Sequence, residues 1–187
     1  MTVYLIRHGK TAGNLTGRYI GATDEPLCSQ GIAELQTRAY PAVQRVFVSP
    51  MKRCKQTASL LYPGAKQTVV PNLRECDFGL FEGKNYAELN GRADYQAWID
   101  SGGELPFPEG ESRKTFAARC IAAFRQAMKT VTEEDVAFVV HGGTIMAIME
   151  GATPERMTCP PSIRVTFAPC AFAARMRSAS RSMVGWR

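Results

Sequence analysis

The chain contains two histidines, and each stands at the end of an apolar run. Val3-Tyr4-Leu5-Ile6 is followed by Arg7-His8-Gly9, and Val136-Ala137-Phe138-Val139-Val140 by His141-Gly142-Gly143. A neutral imidazole is a competent nucleophile. Arginines beside it disfavour its protonation and offer planar forks to phosphate oxygens. Displacing an alcohol from a phosphate monoester needs a nucleophile, positive groups and a proton for the departing oxygen. His8 is the candidate nucleophile, with Arg7 and Arg53 as the candidate forks. His141, if protonated, adds charge where it develops in the transition state. For the proton, the segment from Leu73 to Gly83 offers Glu75 first, with Asp77 and Glu82 as rivals on residue type alone.

These groups must be brought together by the elements that carry them. Short apolar runs alternating with helical patterns predict an α/β fold with parallel strands joined by crossovers. In such sheets ligands bind beyond the carboxyl ends of the strands, where the strand order reverses. Two strands that each end in His-Gly therefore bring both imidazoles to one crevice. Neighbours on an extended strand point to opposite faces, so Arg7 and His8 converge only if the backbone leaves strand geometry there. Gly9 is expected to make that departure cheap. The polar segment from Asn14 to Glu25, holding Asn14, Arg18, Gly21 and Thr23, lies beside the first strand end, where binding groups collect.

Further along, Ser29 is expected to cap a helix bearing Ile32, Leu35 and Ala39, closed by Pro41. Val46–Val48 reads as a strand, followed by a helix from Arg53 to Leu61, and Val69-Val70 as a third strand. Short helices are expected near Tyr86–Leu89 and Tyr95–Ile99. Ser112 opens the clearest helix, with Phe116, Cys120, Ile121, Phe124 and Met128 on one face. Ile163–Phe167 is the expected last strand. Residues 1–168 read as one domain and 169–187 as an atypical basic tail.

Composition bounds the alternatives. At 187 residues, 45% hydrophobic and 21% charged, the chain has the size and make-up of one globular domain. The net charge of +6 sits in the last stretch. Residues 151–187 carry six arginines against one acid, Glu155, and the remainder is nearly balanced, which argues against nucleic acid as a partner. Thr2 leads directly into a strand, and no run reaches the length of a membrane span, so the expectation is a cytoplasmic protein with no membrane partner. The six cysteines contain no Cys-x-x-Cys pair and suggest neither zinc nor a disulfide framework.

Other phosphate chemistries fit less well. Gly79-x-x-x-Gly83-Lys84 is one residue short of a phosphate-binding loop and is followed by Asn. No cysteine has an arginine six positions on, and no His-x-x-x-His or clustered carboxylates point to a metal.

Leu5-Ile6-Arg7-His8-Gly9-Lys10-Thr11 resembles the signature of the histidine phosphatase superfamily, which includes the phosphoglycerate mutases. The resemblance continues through Asn14, the stretch Ser49 to Ala58, Leu73-Arg74-Glu75, Phe78-Gly79, Glu82-Gly83, Pro108 to Ser112 and Val140 to Gly143. It implies a three-layer α/β/α sandwich with a mostly parallel sheet, and His8 as a phosphorylated nucleophile. It implies a phosphate pocket of Arg7, Arg53 and His141, assisted by Asn14 and Arg18, with Gly21 and Gly142 also lining it. Glu75 matches the family's proton donor, and no metal or other cofactor is implied. The long insertion of the mutases before the Pro-Glu-Gly-Glu-Ser stretch is missing, which favours a phosphatase. The compact Phe78–Gly83 stretch looks most like α-ribazole-5′-phosphate phosphatases. The expected partner is a small phosphorylated metabolite and the expected state a monomer or homodimer. A mutase and a non-catalytic phosphate-binding module are the alternatives.

Overall fold

A computed structural model describes residues 1–151 and the strand 162–166. Five strands form one sheet: β1 (Thr2–Arg7), β2 (Arg45–Val48), β3 (Lys66–Val69), β4 (Val136–Val140) and β5 (Ser162–Thr166). Their order is β3-β2-β4-β1-β5, and every pairing is parallel. The expected tail, 169–187, lies outside the described residues.

Among the described residues seven α-helices accompany the sheet: α1 (Ala12–Leu15), α2 (Ser29–Gln36), α3 (Lys52–Leu61), α4 (Tyr86–Leu89), α5 (Ala93–Asp100), α6 (Arg113–Met128) and α7 (Gly142–Gly151). Side chains of a strand alternate between faces, and the two cores follow that alternation. Val3, Leu5, Phe47, Phe138 and Val140 pack with α6 and α7 residues such as Phe124, Ile145 and Ile148. Ile6, Val46, Val48, Ala137 and Val139 pack on the other side with Cys54 and Ala58 of α3. The result is the α/β/α sandwich. A third cluster, including Phe78, Phe81, Trp98 and Phe116, fastens α5 and the middle loops to α6. No described helix is long and apolar enough to cross a membrane.

Three expectations need correction. Ser29 is the first residue of α2 and not its cap; Cys28 is the cap, its Sγ accepting from the Gly31 N–H at 3.4 Å. The third strand starts earlier than its apolar end suggests. Lys66-Gln67-Thr68-Val69 lies at the sheet edge and is largely exposed, so it needs few apolar residues. The buried stripe of α6 runs Phe116, Cys120, Phe124, Ala127. Ile121 is half-buried, against the Gly151 end of α7.

The strand order also places the crevice. The connection leaving β1 goes to β2, beyond β4, while the connection leaving β4 goes to β5, beyond β1. Adjacent strands whose connections depart in opposite directions leave a gap above their carboxyl ends. His8 and His141 follow those two ends.

Candidate active site

His8 lies just past β1 but stays tied to the sheet, its N–H donating to Val140 O at 3.0 Å. The ring is buried. Nδ1 lies 2.6 Å from Gly9 O. A carbonyl can only accept, so Nδ1 carries the proton and the lone pair is on Nε2. Gly9 is itself held by its N–H to Thr57 Oγ1 at 3.0 Å. The reason for glycine here differs from the expected one. A Cβ at Gly9 would come within 2.8 Å of Leu35 Cδ1 and 3.2 Å of Gly31 O, so the position demands space against α2.

His141 follows β4 and is fully buried. Arg53 Nε donates to its Nδ1 at 3.3 Å. Nδ1 must therefore be bare, and Nε2–H donates to Ser49 Oγ at 2.7 Å. Ser49, at the end of β2, is registered by its own N–H to Val139 O at 3.1 Å. Both imidazoles are held well below their ordinary pKa of 6.5, chiefly by burial. Arg53 and Arg7 add to the effect at each, and His8 acts on His141. His141 is thus neutral in this arrangement, and the protonated form that the sequence reading entertained is disfavoured; Arg53 already supplies the buried positive charge.

Arg53 is fully buried on α3. Besides His141 it donates to Thr23 O at 2.7 Å, Gly21 O at 3.0 Å and Ile20 O at 3.3 Å. Most of its fork is spent on the 20–23 turn, so its part toward an anion is mainly its charge. The guanidinium of Arg7, at the end of β1, has no hydrogen bond and no carboxylate within ion-pair distance among the described residues, although its charge acts on Glu75. A Cβ on Gly142 would lie 3.6 Å from Arg7 Nε, an ordinary contact, which places this guanidinium beside the start of α7.

Glu75 closes the group. Its Oε2 accepts from the Gly143 N–H of α7 at 3.1 Å and its Oε1 from the Cys76 N–H at 3.0 Å. Burial raises its pKa above the ordinary carboxylic range, against the opposing pull of those two N–H groups and of Arg53 and Arg7. Gly143 is required for the approach: a Cβ there would meet Glu75 Oε1 at 2.5 Å.

The rival acids are occupied elsewhere. Glu82 Oε1 accepts from the N–H groups of Gly21 and Thr23 at 2.8 and 2.9 Å. Asp77 Oδ1 accepts from the Gly79 N–H at 3.0 Å. Asn14 joins a capping box with Thr11, its Oδ1 accepting from the Thr11 N–H at 3.1 Å. That orientation leaves the Asn14 amide hydrogens without a partner among the described residues. Arg18 is paired with Glu88 by two bonds of 2.7 and 2.9 Å and also donates to Gly83 O. Gly21 has its N–H on Glu82 and packs its α-carbon against the Cys76 carbonyl, where a Cβ would collide at 1.8 Å. The structure therefore gathers His8, His141, Arg7, Arg53, Glu75 and Gly142, and gives Arg18 and Gly21 structural contacts.

Ser49, Thr57 and Gly143 are contributors that residue-by-residue reading left without a role. All three lie inside stretches carrying the resemblance, Ser49 to Ala58 and Val140 to Gly143, which was the available signal. Among the described residues no group of three or more His, Cys, Asp or Glu side chains is placed to hold a metal ion.

Comparison with known proteins agrees with this geometry. The profile of the Histidine phosphatase superfamily (branch 1) matches residues 3–174. A 2,3-bisphosphoglycerate-dependent phosphoglycerate mutase 2 of Gloeobacter violaceus is 33% identical over 170 residues, covering 82% of this chain and 77% of that one. An adenosylcobalamin/alpha-ribazole phosphatase of Salmonella typhimurium is 27% identical over 158 residues, covering 80% and 78%. Among solved structures, the alpha-ribazole phosphatase from Shigella flexneri superimposes with a TM-score of 0.69 at 25% identity, covering 76% of this chain and 75% of that one. With the profile spanning nearly all of the chain, the protein belongs to the histidine phosphatase superfamily, branch 1.

Proposed function

We propose that the protein hydrolyses small phosphate monoesters without a metal, through a phosphohistidine at His8. The observation that carries this reading is the 2.6 Å bond from His8 Nδ1 to Gly9 O. It fixes the tautomer whose Nε2 lone pair is available, on a ring kept neutral by burial and by Arg53 and Arg7. Nε2 attacks phosphorus in line, the N–P bond forms, and the P–O bond to the leaving alcohol breaks. Arg7 and Arg53 offset the charge on the phosphoryl oxygens. Glu75, its pKa raised by burial, gives its proton to the departing oxygen. The resulting carboxylate takes a proton from the water that attacks the phosphohistidine. His141, neutral and pinned between Arg53 and Ser49, walls the pocket and fixes the orientation of Arg53.

Among phosphate esters we place α-ribazole-5′-phosphate first. Support comes from the compact Phe78–Gly83 stretch and from the names of the Salmonella and Shigella relatives. The Gloeobacter relative supports a second reading, phosphoglycerate mutase activity. A mutase must shelter the phosphoenzyme from water, and the short connection ahead of Pro108 argues for a more open site.

The test is a panel of phosphomonoesters assayed with excess chelator. We expect phosphate release at undiminished rate, with α-ribazole-5′-phosphate among the better substrates. Activity lost to chelator and restored by a divalent metal would overturn the metal-free mechanism. Interconversion of phosphoglycerates faster than phosphate release would install the mutase reading.

A further inference from the structure

Arg53 presents an electrostatic problem. It is fully buried and, among the described residues, has no carboxylate at ion-pair distance. A buried charge without a counter-charge is costly unless fixed dipoles replace the lost water. Here three backbone carbonyls, those of Ile20, Gly21 and Thr23, converge on one guanidinium. A turn in which Ala22 and Thr23 are exposed and only Ile20 and Gly21 are buried has no intrinsic reason to turn three carbonyls onto one side chain.

The reason lies on the other side of the turn. The Gly21 and Thr23 N–H groups both point to Glu82 Oε1, at 2.8 and 2.9 Å. One peptide makes the link directly. The unit joining Ile20 to Gly21 gives its N–H to Glu82 and receives Arg53 Nη2 on its carbonyl. In a trans peptide these two groups point in opposite directions, so the dipole lies aligned between a carboxylate and a guanidinium. Neighbouring backbone bonds hold the same segments: Tyr19 N–H to Lys84 O at 2.9 Å and Gly83 N–H to Tyr19 O at 2.8 Å. The other Glu82 oxygen is buried and has no hydrogen-bond partner among the described residues. Glu82 is therefore not a solvated rim charge.

We propose that Glu82 is the positioning residue of Arg53: it holds the Ile20–Thr23 turn so that its carbonyls clamp the guanidinium, and it serves through the Ile20–Gly21 peptide as the distant counter-charge. This assignment rests on the phosphatase reading for its catalytic consequence, but its structural half stands apart from any activity. Arg53 Nε is the donor to His141 Nδ1, so release of the clamp is transmitted to that imidazole.

The chain has two histidines, so imidazole ¹⁵N spectra are assigned with one His8→Ala spectrum. Wild type should show His141 as a fixed Nε2–H tautomer. Glu82→Ala should turn this into an averaged signal and lower kcat about 100-fold, the scale of a misplaced catalytic group. Glu82→Gln, whose amide oxygen can accept both N–H bonds, should keep the His141 signature and stay within about tenfold of wild-type kcat on alkyl phosphates. A general acid at Glu82 would instead make Gln as damaging as Ala on those substrates. A residue that merely staples two loops would lower the melting temperature of Glu82→Ala and leave the His141 signal unchanged. Either result overturns the proposal. If Glu82→Ala does not fold, Glu82→Asp, one methylene too short for both N–H groups, must show the averaged signal; a wild-type signal there is equally fatal. A wild-type protein inactive on every phosphoester would defeat the phosphatase reading alone, because the spectra still decide the clamp.

Discussion

His8 and His141 stand with ring centroids 5.1 Å apart, at 68° to one another, in opposite tautomers. His8 keeps its proton on Nδ1, against Gly9 O, whereas His141 keeps its proton on Nε2, against Ser49 Oγ. Two chemically identical side chains at equivalent strand ends thus receive different tasks from their second partners. One has a free lone pair; the other has both nitrogens engaged.

Replacing His8 with alanine should reduce turnover by several orders of magnitude, since only binding and electrostatics remain. The intermediate gives a sharper check. Wild type mixed rapidly with substrate and quenched in alkali should yield an acid-labile phosphorus–nitrogen species by ³¹P NMR, absent from His8→Ala.

Glu75→Gln separates a general acid from a charged bystander. Alkyl phosphates should slow by roughly 10²–10⁴-fold, while p-nitrophenyl phosphate, with a good leaving group, should slow much less. The pH profile carries the same signature. Burial raises the Glu75 pKa, so the alkyl-phosphate rate should fall on the alkaline side as that proton is lost. The nitrophenyl substrate should show little of that limb. Equal slowing of both substrates would remove Glu75 from the role.

Gly143→Ala tests how Glu75 is placed. The new methyl would meet Glu75 Oε1 at 2.5 Å and Phe116 Cε1 at 3.3 Å. The carboxylate is the far end of a flexible side chain and can yield, so the fold should persist with a near-native melting temperature. Alkyl-phosphate turnover should nevertheless drop in the manner of Glu75→Gln. Retained turnover would mean that Glu75 accommodates the added methyl, and that its placement does not depend on a glycine at 143.

Ser49→Ala removes the acceptor of a fully buried imidazole N–H. Leaving such a donor unpaired costs about 1–3 kcal/mol, although Cys54 Sγ, 3.5 Å from Nε2, offers a weak substitute. A chemical-denaturation midpoint clearly below wild type is expected, together with a lower kcat. An unchanged midpoint would show that His141 does not depend on Ser49.

Stability should fall on acidification. Both histidine pKa values lie below the unfolded value of 6.5 in the folded state. Below pH 6.5 the unfolded chain therefore binds protons that the native chain does not, and stability present above that pH is lost as pH drops toward the folded values. Each histidine contributes up to about 1.4 kcal/mol for the first unit below 6.5. Glu75, with a raised pKa, has the opposite sign, its contribution being lost as pH rises through its folded value. Melting temperatures between pH 7.5 and 5.5 should fall for wild type, and fall less for a His8→Asn, His141→Asn double variant.

The sequence by itself determined the layers of the sheet and the strand ends that carry its two histidines. β4 is buried at every position and needs no partner to be visible, because a strand buried on both faces must be apolar along its length. Two His-Gly endings on such strands are a local signal, and so is the arginine preceding the first. The exposed edge strand β3 escaped the same reading over most of its length, since an edge makes weaker demands on composition. Tertiary structure alone decided charge and direction. Whether His141 is a cation depends on Arg53, 88 residues away in the chain, donating to its Nδ1. Which of three neighbouring acids faces the pocket depends on N–H groups that arrive from α7, from the 20–23 turn and from Gly79. Arg18 was spent on Glu88, 70 residues away. Protonation and hydrogen-bond partnership are properties of pairs, and pairs distant in sequence meet only once the chain has folded.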